Sequence, residues 1–301
     1  MTALLQIEAS GEKCLGDFTF DFFWQHRGSR LDPDKTVCRG ISYRKIVEAL
    51  RQGQTLKISG NAGGRLASSL GVDLMHFGGS GGPLEKTGKI IVDGDVGSHM
   101  GISMLRGSIY VSGKVEPPLG NVLEQDSDLS GYRKFISVTE ALEKGLPVSE
   151  PNTQDRDGRG LCICDGLLRD TLSARNPADK FIRLEGDAGM STGILMLSGQ
   201  IEVSENSGRN TGVLLRGGRI VVLGDTDDFT GAEMKGGEIF VAGDAGSYAC
   251  ARMRGGAVFA REGKPLPPAK TYQPSSSEQT MLARTLGLSP LYAMMYRKFS
   301  L

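Results

Sequence analysis

The sequence predicts an all-β fold, a right-handed parallel β-helix (β-solenoid) with about 19 residues per turn. The first observation is a series of apolar residues at intervals of nineteen: Ile163, Ile182, Ile201, Ile220, Ile239 and Val258. From Ile182 onward, each interval opens with a short apolar strand and then runs into glycines. The 43 glycines are periodic and form no Gly-X-Y triplets, which excludes collagen and a disordered linker.

The positions within one repeat predict its strands and corners. If each opening residue is position 0, β-branched and apolar side chains at positions 0 and 2 indicate inward-facing strand residues. They are Ile90/Val92, Ile182/Leu184, Ile201/Val203, Ile220/Val222 and Ile239/Val241. Position 14 predicts a second inward ladder, formed by Leu70, Met104, Met196, Leu215, Met234 and Met253. Glycines at positions 4, 7 and 11, with Asp or Asn at position 5, predict corners with left-handed backbone angles.

Residues 1–55 do not follow the repeat and are predicted to form an N-terminal capping subdomain that covers the end of the coil. The stretch TALLQIEA alternates as a strand does, and DFTFDFFWQ at 17–25 is rich in aromatic residues. An Asp-Pro turn follows at Asp32-Pro33. Ser42 is expected to cap a helix that runs to about Arg51 and stops at Gly53.

The coil is predicted over 56–260, with insertions at 72–88 and 112–160. Leu56 opens the first block, and the first insertion carries His76 and Phe77 ahead of a flexible GGSGGP loop. In the second insertion, Ser137 and Glu140 predict a capping box for a brief helix that Gly145 ends. Because Ile163 restarts the nineteen-residue count, we expect one solenoid with a long excursion.

Residues 261–301 are predicted to be an extended linker followed by a helical docking tail. Ser275 and Glu278 predict a second capping box, and Met281, Leu282 and Leu286 form an apolar stripe. The final stretch LYAMMYRKF is expected to pack on the protein's own core, with a partner surface as the alternative.

The bulk composition excludes several classes of protein. The 35 basic and 35 acidic side chains cancel, so no global field attracts nucleic acid or a membrane. No apolar run is long enough for a transmembrane helix, and the first residues lack the pattern of a signal peptide. The odd number of cysteines is therefore read as reduced thiols, and the cytoplasm is the expected location.

The candidate sites are few. Stacked aspartates at position 5 could bind calcium, but a structural role in the turns is preferred because they recur once in nineteen residues and alternate with Asn. No helix follows the Gly-X-Gly spacings, so a phosphate-binding loop is not predicted. Position 15 places Arg216, Lys235 and Arg254 on consecutive turns as candidate anion contacts, against the alternative of a mixed solvated face.

Other chemistry-bearing residues are isolated in the sequence. Cys162 and Cys164 form a C-x-C pair without a second metal-spaced pair, which fits a strand with one inward thiol. His26, His76 and His99 are separated, and His99 is expected at the surface. We therefore predict no catalytic residue and no metal ligand in this chain.

The repeat also resembles a known family. It approximates G-D-x-G-x-x-x-G-x-x-M-x-G-G, as in Gly94–Gly107, Gly186–Gly199 and Gly224–Gly237, and is similar to the GXGXG β-helix domain. This domain occurs in the C-terminal part of the glutamate synthase large subunit. It also forms the C subunit of formylmethanofuran dehydrogenase and of the formyltransferase/hydrolase complex. The resemblance covers about 56–111 and 163–260.

A free-standing coil of this length is more similar to the C subunit, because glutamate synthase carries the domain on a much longer chain. That resemblance implies a non-catalytic scaffold subunit of a one-carbon complex that interconverts a formyl carrier and formate. It implies metal-dependent hydrolase and formyltransferase partners, with metals and methanofuran- or tetrahydromethanopterin-type carriers held by them. The alternatives are a stand-alone GXGXG protein associated with a glutamate-synthase-like amidotransferase/oxidoreductase, or a polyanion-binding module.

Overall fold

The structure, a computed structural model, describes residues 4–8, 34, 37–38, 40–155 and 157–301. It divides into two compact units, one of residues 1–141 with 146–149 and one of residues 142–145 with 150–301. The fold is a β-solenoid of about nine turns with roughly 19 residues per turn, which confirms the predicted fold class. The right-handed sense of the coil and the boundaries 1–55, 56–260 and 261–301 stay predictions.

The first unit is built on a six-stranded sheet in the order β1-β4-β5-β6-β8-β7. The elements in chain order are β1 (Leu4–Glu8), β2 (Val37–Cys38), β3 (Ile41–Ser42), α1 (Tyr43–Arg51), β4 (Thr55–Ser59), a 3-10 turn (Met75–Phe77), β5 (Lys89–Asp93), β6 (Ser108–Val111), β7 (Val122–Gln125), β8 (Arg133–Ser137) and α2 (Val138–Lys144). Strands β1, β4, β5 and β6 pair in parallel, whereas β8 is antiparallel to both β6 and β7. The alternating stretch near the N-terminus therefore contributes a strand to this sheet.

Helix α1 forms as the sequence predicts. The Ser42 hydroxyl accepts the backbone N–H of Lys45 at 3.4 Å and caps the helix. Its buried face includes Ile46, Val47 and Leu50, and Gly53 takes a φ of 80° just after the last turn. The capping hydroxyl of Ser137 likewise accepts the N–H of Glu140 at the start of α2, at 3.4 Å.

The coil of the first unit continues beyond the point where the sequence predicts a break. Gly113 donates its N–H to the Gly94 carbonyl at 3.0 Å, and Gly120 donates to Met100 at 2.7 Å. Residues 112–121 therefore belong to a coil turn, and the predicted insertion at 112–160 begins too early. The repeat is weak in this turn because Lys114 and Glu116 replace the usual Asp or Asn and Gly, although Gly113 and Gly120 keep their usual positions.

The second unit has a nine-stranded sheet in the order β16-β17-β15-β14-β13-β12-β11-β10-β9. Its elements are β9 (Thr153–Gln154), β10 (Gly160–Ile163), β11 (Phe181–Leu184), β12 (Gln200–Val203), β13 (Arg219–Val222), β14 (Lys235–Ala249), β15 (Gly255–Pro265), β16 (Lys270–Tyr272), α3 (Ser276–Leu286), α4 (Pro290–Ala293) and β17 (Arg297–Ser300). Strands β10 to β15 pair in parallel, and antiparallel strands β9 and β17 lie at the two ends of this parallel set.

One register differs from the prediction. Ile201, Ile220 and Ile239 pair with one another at nineteen-residue intervals, as expected. Ile182, however, pairs with Leu161, 21 residues earlier, and Ile163 pairs with Leu184. The prediction that Ile163 opens a repeat is therefore wrong, because Ile163 stands at position 2 of a turn that is two residues longer. Apolar side chains at positions 0 and 2 look alike, so the nineteen-residue spacing from Ile163 to Ile182 was coincidental.

Both predicted inward ladders are confirmed. The opening residues Ile182, Ile201, Ile220 and Ile239 are fully buried, and so are Met196, Leu215 and Met234 of the second ladder. Each buried isoleucine or leucine contributes roughly 1.5–3 kcal/mol of hydrophobic stabilisation.

The glycines at position 4 match the predicted left-handed corner only in part. Gly60 and Gly186 have positive φ angles of 99° and 107°, but Gly94, Gly224 and Gly243 do not. A Cβ on Gly224 would lie 2.5 Å from the Asn206 Oδ1 of the preceding turn. At Gly94, Gly224 and Gly243 glycine is needed because successive turns approach closely, whereas Gly60 and Gly186 have the predicted left-handed backbone.

The C-terminal segment covers the outer face of the last turns. Helix α3 has the predicted capping box between Ser275 and Glu278. Leu282 of α3 and Tyr296 pack against Val221 and Phe240, which point outward from the sheet. The prediction that the tail packs on its own core is confirmed for these residues.

Several predictions fall outside the described residues, namely the aromatic stretch 17–25, the Asp32-Pro33 turn, Cys14 and His26. In the part of the chain that is described, no helix combines the length and apolar character needed to span a bilayer.

Candidate functional site

The basic side chains predicted to contact anions form a row on one corner of the second unit. Arg216 donates its backbone N–H to Met196 at 2.9 Å, Lys235 to Leu215 at 2.7 Å, and Arg254 to Met234 at 2.7 Å. This repeated bond places the three residues at equivalent positions on successive turns, about 4.8 Å apart. All three side chains are exposed. We call Arg216, Lys235 and Arg254 the basic row.

The acidic residues of the same turns pair with other arginines. Glu238 binds Arg219 at 2.7 Å, Glu233 lies 3.9 Å from Arg252, and Glu202 lies 3.6 Å from Arg183. Among the described residues, no ion pair within 4.0 Å includes a member of the basic row. The row therefore has the charge and accessibility to contact an anion, but no buried polar group that would define a specific ligand.

A groove of about 520 Å³ lies on the adjacent corner of the second unit. Its floor includes Gly199 and Gly218, which have φ angles of 85° and 79° and lack side chains to fill the corner. A Cβ on Gly218 would lie 2.6 Å from the Gly199 carbonyl oxygen, so larger residues are excluded there. The volume falls in the range of small-molecule sites, about 300–1,000 Å³.

The walls of the groove carry ordered charges. Arg219 donates through Nη2 to Glu238 at 2.7 Å, and its guanidinium lies 5.1 Å from the centre of the Phe240 ring. Lys180 donates through Nζ to the carbonyl of Leu142 at 2.7 Å. Arg219 and Lys180 are therefore already bound to protein groups and do not point freely into the groove. The groove is a polar surface depression rather than a preformed ligand pocket.

The stacked Asp and Asn residues at position 5 make hydrogen bonds between turns. Asp187 Oδ1 accepts the N–H of Asn206 at 2.9 Å, Asn206 Oδ1 accepts from Asp225 at 2.9 Å, and Asp225 Oδ1 accepts from Asp244 at 2.8 Å. In the first unit, Asn61 Oδ1 likewise accepts the N–H of Asp95 at 2.9 Å. The carboxylates therefore have the predicted role in the turns. In the described chain, no group of three or more His, Cys, Asp or Glu has the arrangement of a metal site.

The C-x-C pair differs from the prediction of one inward thiol. The side chains of Leu161 and Ile163 in β10 are buried, and Cys162 and Cys164 both lie on the outer face, partly exposed. Side chains two apart on a strand share a face, which explains the result. The third described free thiol, that of Cys250, is fully buried. His99 is partly exposed, and the side chain of His76 is not among the described parts of the structure.

Sequence reasoning missed the groove and its charged residues. Gln200, Arg219 and Glu238 each stand directly before an opening isoleucine and pair in register across β12, β13 and β14. That recurrence of polar residues at one position, beside glycine pairs, was the available signal. The signal is weak because these polar residues precede the apolar residue that marks each repeat.

The fold and these surfaces define the class of the protein: a β-solenoid with polar hydrogen-bonded corners, an exposed basic row and a charged corner groove. No protein-family model matches the sequence. Over 203 residues, the chain is 47% identical to an uncharacterized protein of Methanothermobacter thermautotrophicus, a match that covers 66% of this chain. The chain spans about 65% of the length of that relative.

Among solved structures, the chain matches the formyltransferase/hydrolase complex (FhcABCD) from Methylorubrum extorquens in complex with methylofuran. The match covers 97% of this chain and 91% of that chain, with 17% sequence identity and a TM-score of 0.33. A similarity of this degree assigns no function to the chain.

Proposed function

We propose that this protein is a non-catalytic scaffold subunit of a multisubunit complex in one-carbon metabolism. The proposed complex is of the formylmethanofuran dehydrogenase or formyltransferase/hydrolase type, and this chain corresponds to its C subunit. Metals and methanofuran- or tetrahydromethanopterin-type carriers then belong to the metal-dependent hydrolase and formyltransferase partners. The G-D-x-G repeat supports this assignment, because the same repeat pattern is typical of the GXGXG domain.

The observation that carries the proposal is the exposed apolar surface of the C-terminal segment. The large apolar residues exposed there are Leu266, Tyr272, Leu291, Tyr292, Met294, Met295 and Leu301. Leu291 is 73% exposed and Tyr292 is 62% exposed, although the neighbouring Ala293 and Tyr296 are buried. Contiguous exposed apolar patches mark interaction surfaces in soluble proteins.

Local hydrogen bonds bring part of this set together. The Gln273 carboxamide donates to the carbonyl of Met294 at 2.8 Å and accepts from Arg297 at 2.8 Å. Tyr272 pairs with Lys298, whose ammonium binds Glu278 of α3 at 2.6 Å, so Tyr272 shares a face of the sheet with Lys298 but stays 41% exposed. Aromatic and methionine side chains are enriched at the centres of protein interfaces. This surface therefore suits a partner subunit.

The test is recovery of the complex from the source organism through a tag on this chain. The wild-type chain should bring down a metal-dependent hydrolase and a formyltransferase. Met295→Glu, at a side chain 53% exposed in the C-terminal set, should lose them. Met75→Glu is the matched control, because Met75 is 61% exposed but lies in the first unit, away from the C-terminal segment in sequence.

Two results would contradict the proposal. A wild-type chain recovered alone as a stable monomer would argue against any scaffold role. Recovery of a flavin-dependent synthase and an amidotransferase would instead favour the glutamate-synthase-like alternative.

A polyanion-binding role is the second candidate, and the basic row is the observation that favours it. Calorimetry with poly-L-glutamate should then show binding that weakens with added salt and with Arg216→Ala. Arg209→Ala is the control and should change binding less. Arg209 is exposed, but its guanidinium already lies 3.3 Å from the Asp227 carboxylate. Absence of heat at high peptide concentration would exclude this role.

A further inference from the structure

The outer face of β10 carries two thiols in direct contact. The Sγ atoms of Cys162 and Cys164 lie 2.8 Å apart, closer than sulfur atoms in ordinary van der Waals contact. Both residues are partly exposed, so the pair is accessible to a small molecule. Proximity and access are the two geometric requirements for thiol–disulfide exchange.

The position of Cys164 explains how the two thiols meet. Strand β10 ends at Ile163, and Cys164 is the first residue after the strand, within the turn that is two residues longer than the following ones. Its backbone N–H is bound by the side-chain oxygen of Asn152 at 2.8 Å. A side-chain acceptor permits more local backbone movement than a strand partner does.

Asn152 links the thiols to a buried ion pair. Its Nδ2 donates to Asp165 Oδ2 at 2.9 Å, and Asp165 accepts from Arg169 Nη1 at 2.7 Å. The Arg169 side chain is only 1% exposed. Burial by itself would raise the pKa of Asp165, but the hydrogen bond and charge of Arg169, together with hydrogen bonds from Asn152 and Leu167, keep that pKa below its usual value. The first turn of the second unit thus depends on a chain of contacts that starts at Cys164.

We propose that Cys162 and Cys164 form a reversible dithiol site that closes to a disulfide by exchange with a small-molecule disulfide. One cysteine thiolate attacks a sulfur of the disulfide, forms a mixed disulfide and releases the first thiolate. The second cysteine thiolate then attacks the bound cysteine sulfur and releases the second. Two protein thiols and one disulfide thus become one intrachain disulfide and two small thiols, which take up the two protons through solvent.

The geometry favours an exchangeable bond over a permanent one. Cys164 directly follows the last residue of β10, and Cα atoms two residues apart in an extended chain are separated by about 6.6 Å. Disulfides accept Cα separations up to about 6.8 Å, and bonds near that limit are strained and more easily reduced. Burial, with the neighbouring thiol, raises the pKa of Cys162 to about 11, so this thiol is protonated near neutral pH.

Closure also has a structural consequence. Drawing the Cys164 sulfur toward Cys162 moves the backbone that Asn152 holds. The hydrogen bond from Cys164 to Asn152 should then lengthen, and the support that Asn152 gives to Asp165 should weaken. Oxidation is therefore expected to loosen the corner at residues 164–169 without unfolding the coil.

The experiment treats the full-length native protein with oxidised glutathione and then digests it with trypsin under non-reducing conditions. Cleavage after Arg159 and Arg169 gives one peptide, residues 160–169, that holds both cysteines. We expect this peptide to lose two hydrogen atoms in mass and to regain them with dithiothreitol. Hydrogen exchange of the Cys164 amide should rise in the oxidised protein and return on reduction.

Single variants separate closure from simple modification. Cys162→Ser and Cys164→Ser should each retain glutathione as a stable mixed disulfide, because the second thiol is missing. Cys250→Ser should behave as wild type at residues 160–169, because Cys250 is fully buried. A wild-type peptide that accumulates glutathione without closing, or that remains unmodified, overturns the proposal. Unchanged amide exchange at Cys164 after closure overturns the coupling to Asn152.

Discussion

The carboxamide oxygen of Asn206 accepts the backbone N–H of Asp225, nineteen residues later, at 2.9 Å. Asp225 accepts in the same way from Asp244, so each turn provides an acceptor for the next. In a coil that exposes one corner to solvent, this side chain substitutes for water at a backbone donor. The Asp and Asn residues are therefore interchangeable here, because only the side-chain oxygen is required.

Asp225→Ala should lower the free energy of unfolding by about 1 kcal/mol, since it removes one such acceptor. Asp225→Asn is the matched control and should stay within about 0.5 kcal/mol of wild type. Chemical denaturation measures both. If a metal were bound by this ladder, adding a chelator would lower the stability of wild type, and we expect no such change.

Gly212→Ala should be strongly destabilising, by about 3 kcal/mol or more, because strain and overpacking add. Gly212 has a φ of 66°, and a Cβ there would overlap the Cδ1 methyl of the buried Ile239. Gly166→Ala separates the two causes, because Gly166 has a φ of 68° but open space around it. Gly212→Ala should therefore unfold at a lower temperature than Gly166→Ala, and equal losses would mean that crowding is unimportant.

Leu282→Ala should cost about 2–4 kcal/mol, because a fully buried side chain leaves a cavity over Phe240. Leu291→Ala is a matched leucine that is 73% exposed, and it should change stability by less than about 0.5 kcal/mol. Denaturant titration of the two variants measures how firmly α3 is held. A small loss for Leu282→Ala would show that α3 contributes little to the fold.

The stability of the protein should fall as the pH rises above 9. Burial raises the pKa of Cys250 to about 12, from a value of 9.0 for an unperturbed thiol. A folded-state pKa above the unfolded one stabilises the protein fully below pH 9, and this contribution is lost as the pH rises toward about 12.

Cys250→Ala isolates this effect from other groups that titrate at high pH, such as Tyr296, whose pKa is also raised by burial. The variant should lose less stability than wild type between pH 9 and pH 11. Identical pH profiles for the two proteins would show that Cys250 ionises as freely when folded as when unfolded.

Much of the fold follows from local sequence signals. Ser42 and Ser275 cap helices where predicted, and the opening isoleucines are buried in parallel ladders. These features depend on residues close in sequence or on strict repetition, so a single sequence contains them. The antiparallel addition of β8 to β6 does not, because it depends on how the chain returns after leaving the coil.

The register of β10 and the corner groove were harder to predict for a related reason. Leu161 and Ile163 both face inward, so the apolar pattern alone cannot say which one opens the turn. The groove exists because Gly199 and Gly218 leave space, and absent side chains give a weak sequence signal. The contact between Cys162 and Cys164 on the outer face could be predicted only if it were known which side chains of β10 face outward. An error in the register or orientation of the strand prevents that prediction.

The uniform spacing of β12, β13 and β14 also constrains how this protein can change in length. Each residue in these strands pairs with the one nineteen positions later. Duplicating or deleting residues 201–219 as a block would restore every pairing, whereas removing one residue would turn the apolar side chains outward. Evolutionary gains and losses within this part of the coil should therefore come as whole turns, and shorter insertions should be confined to its corners.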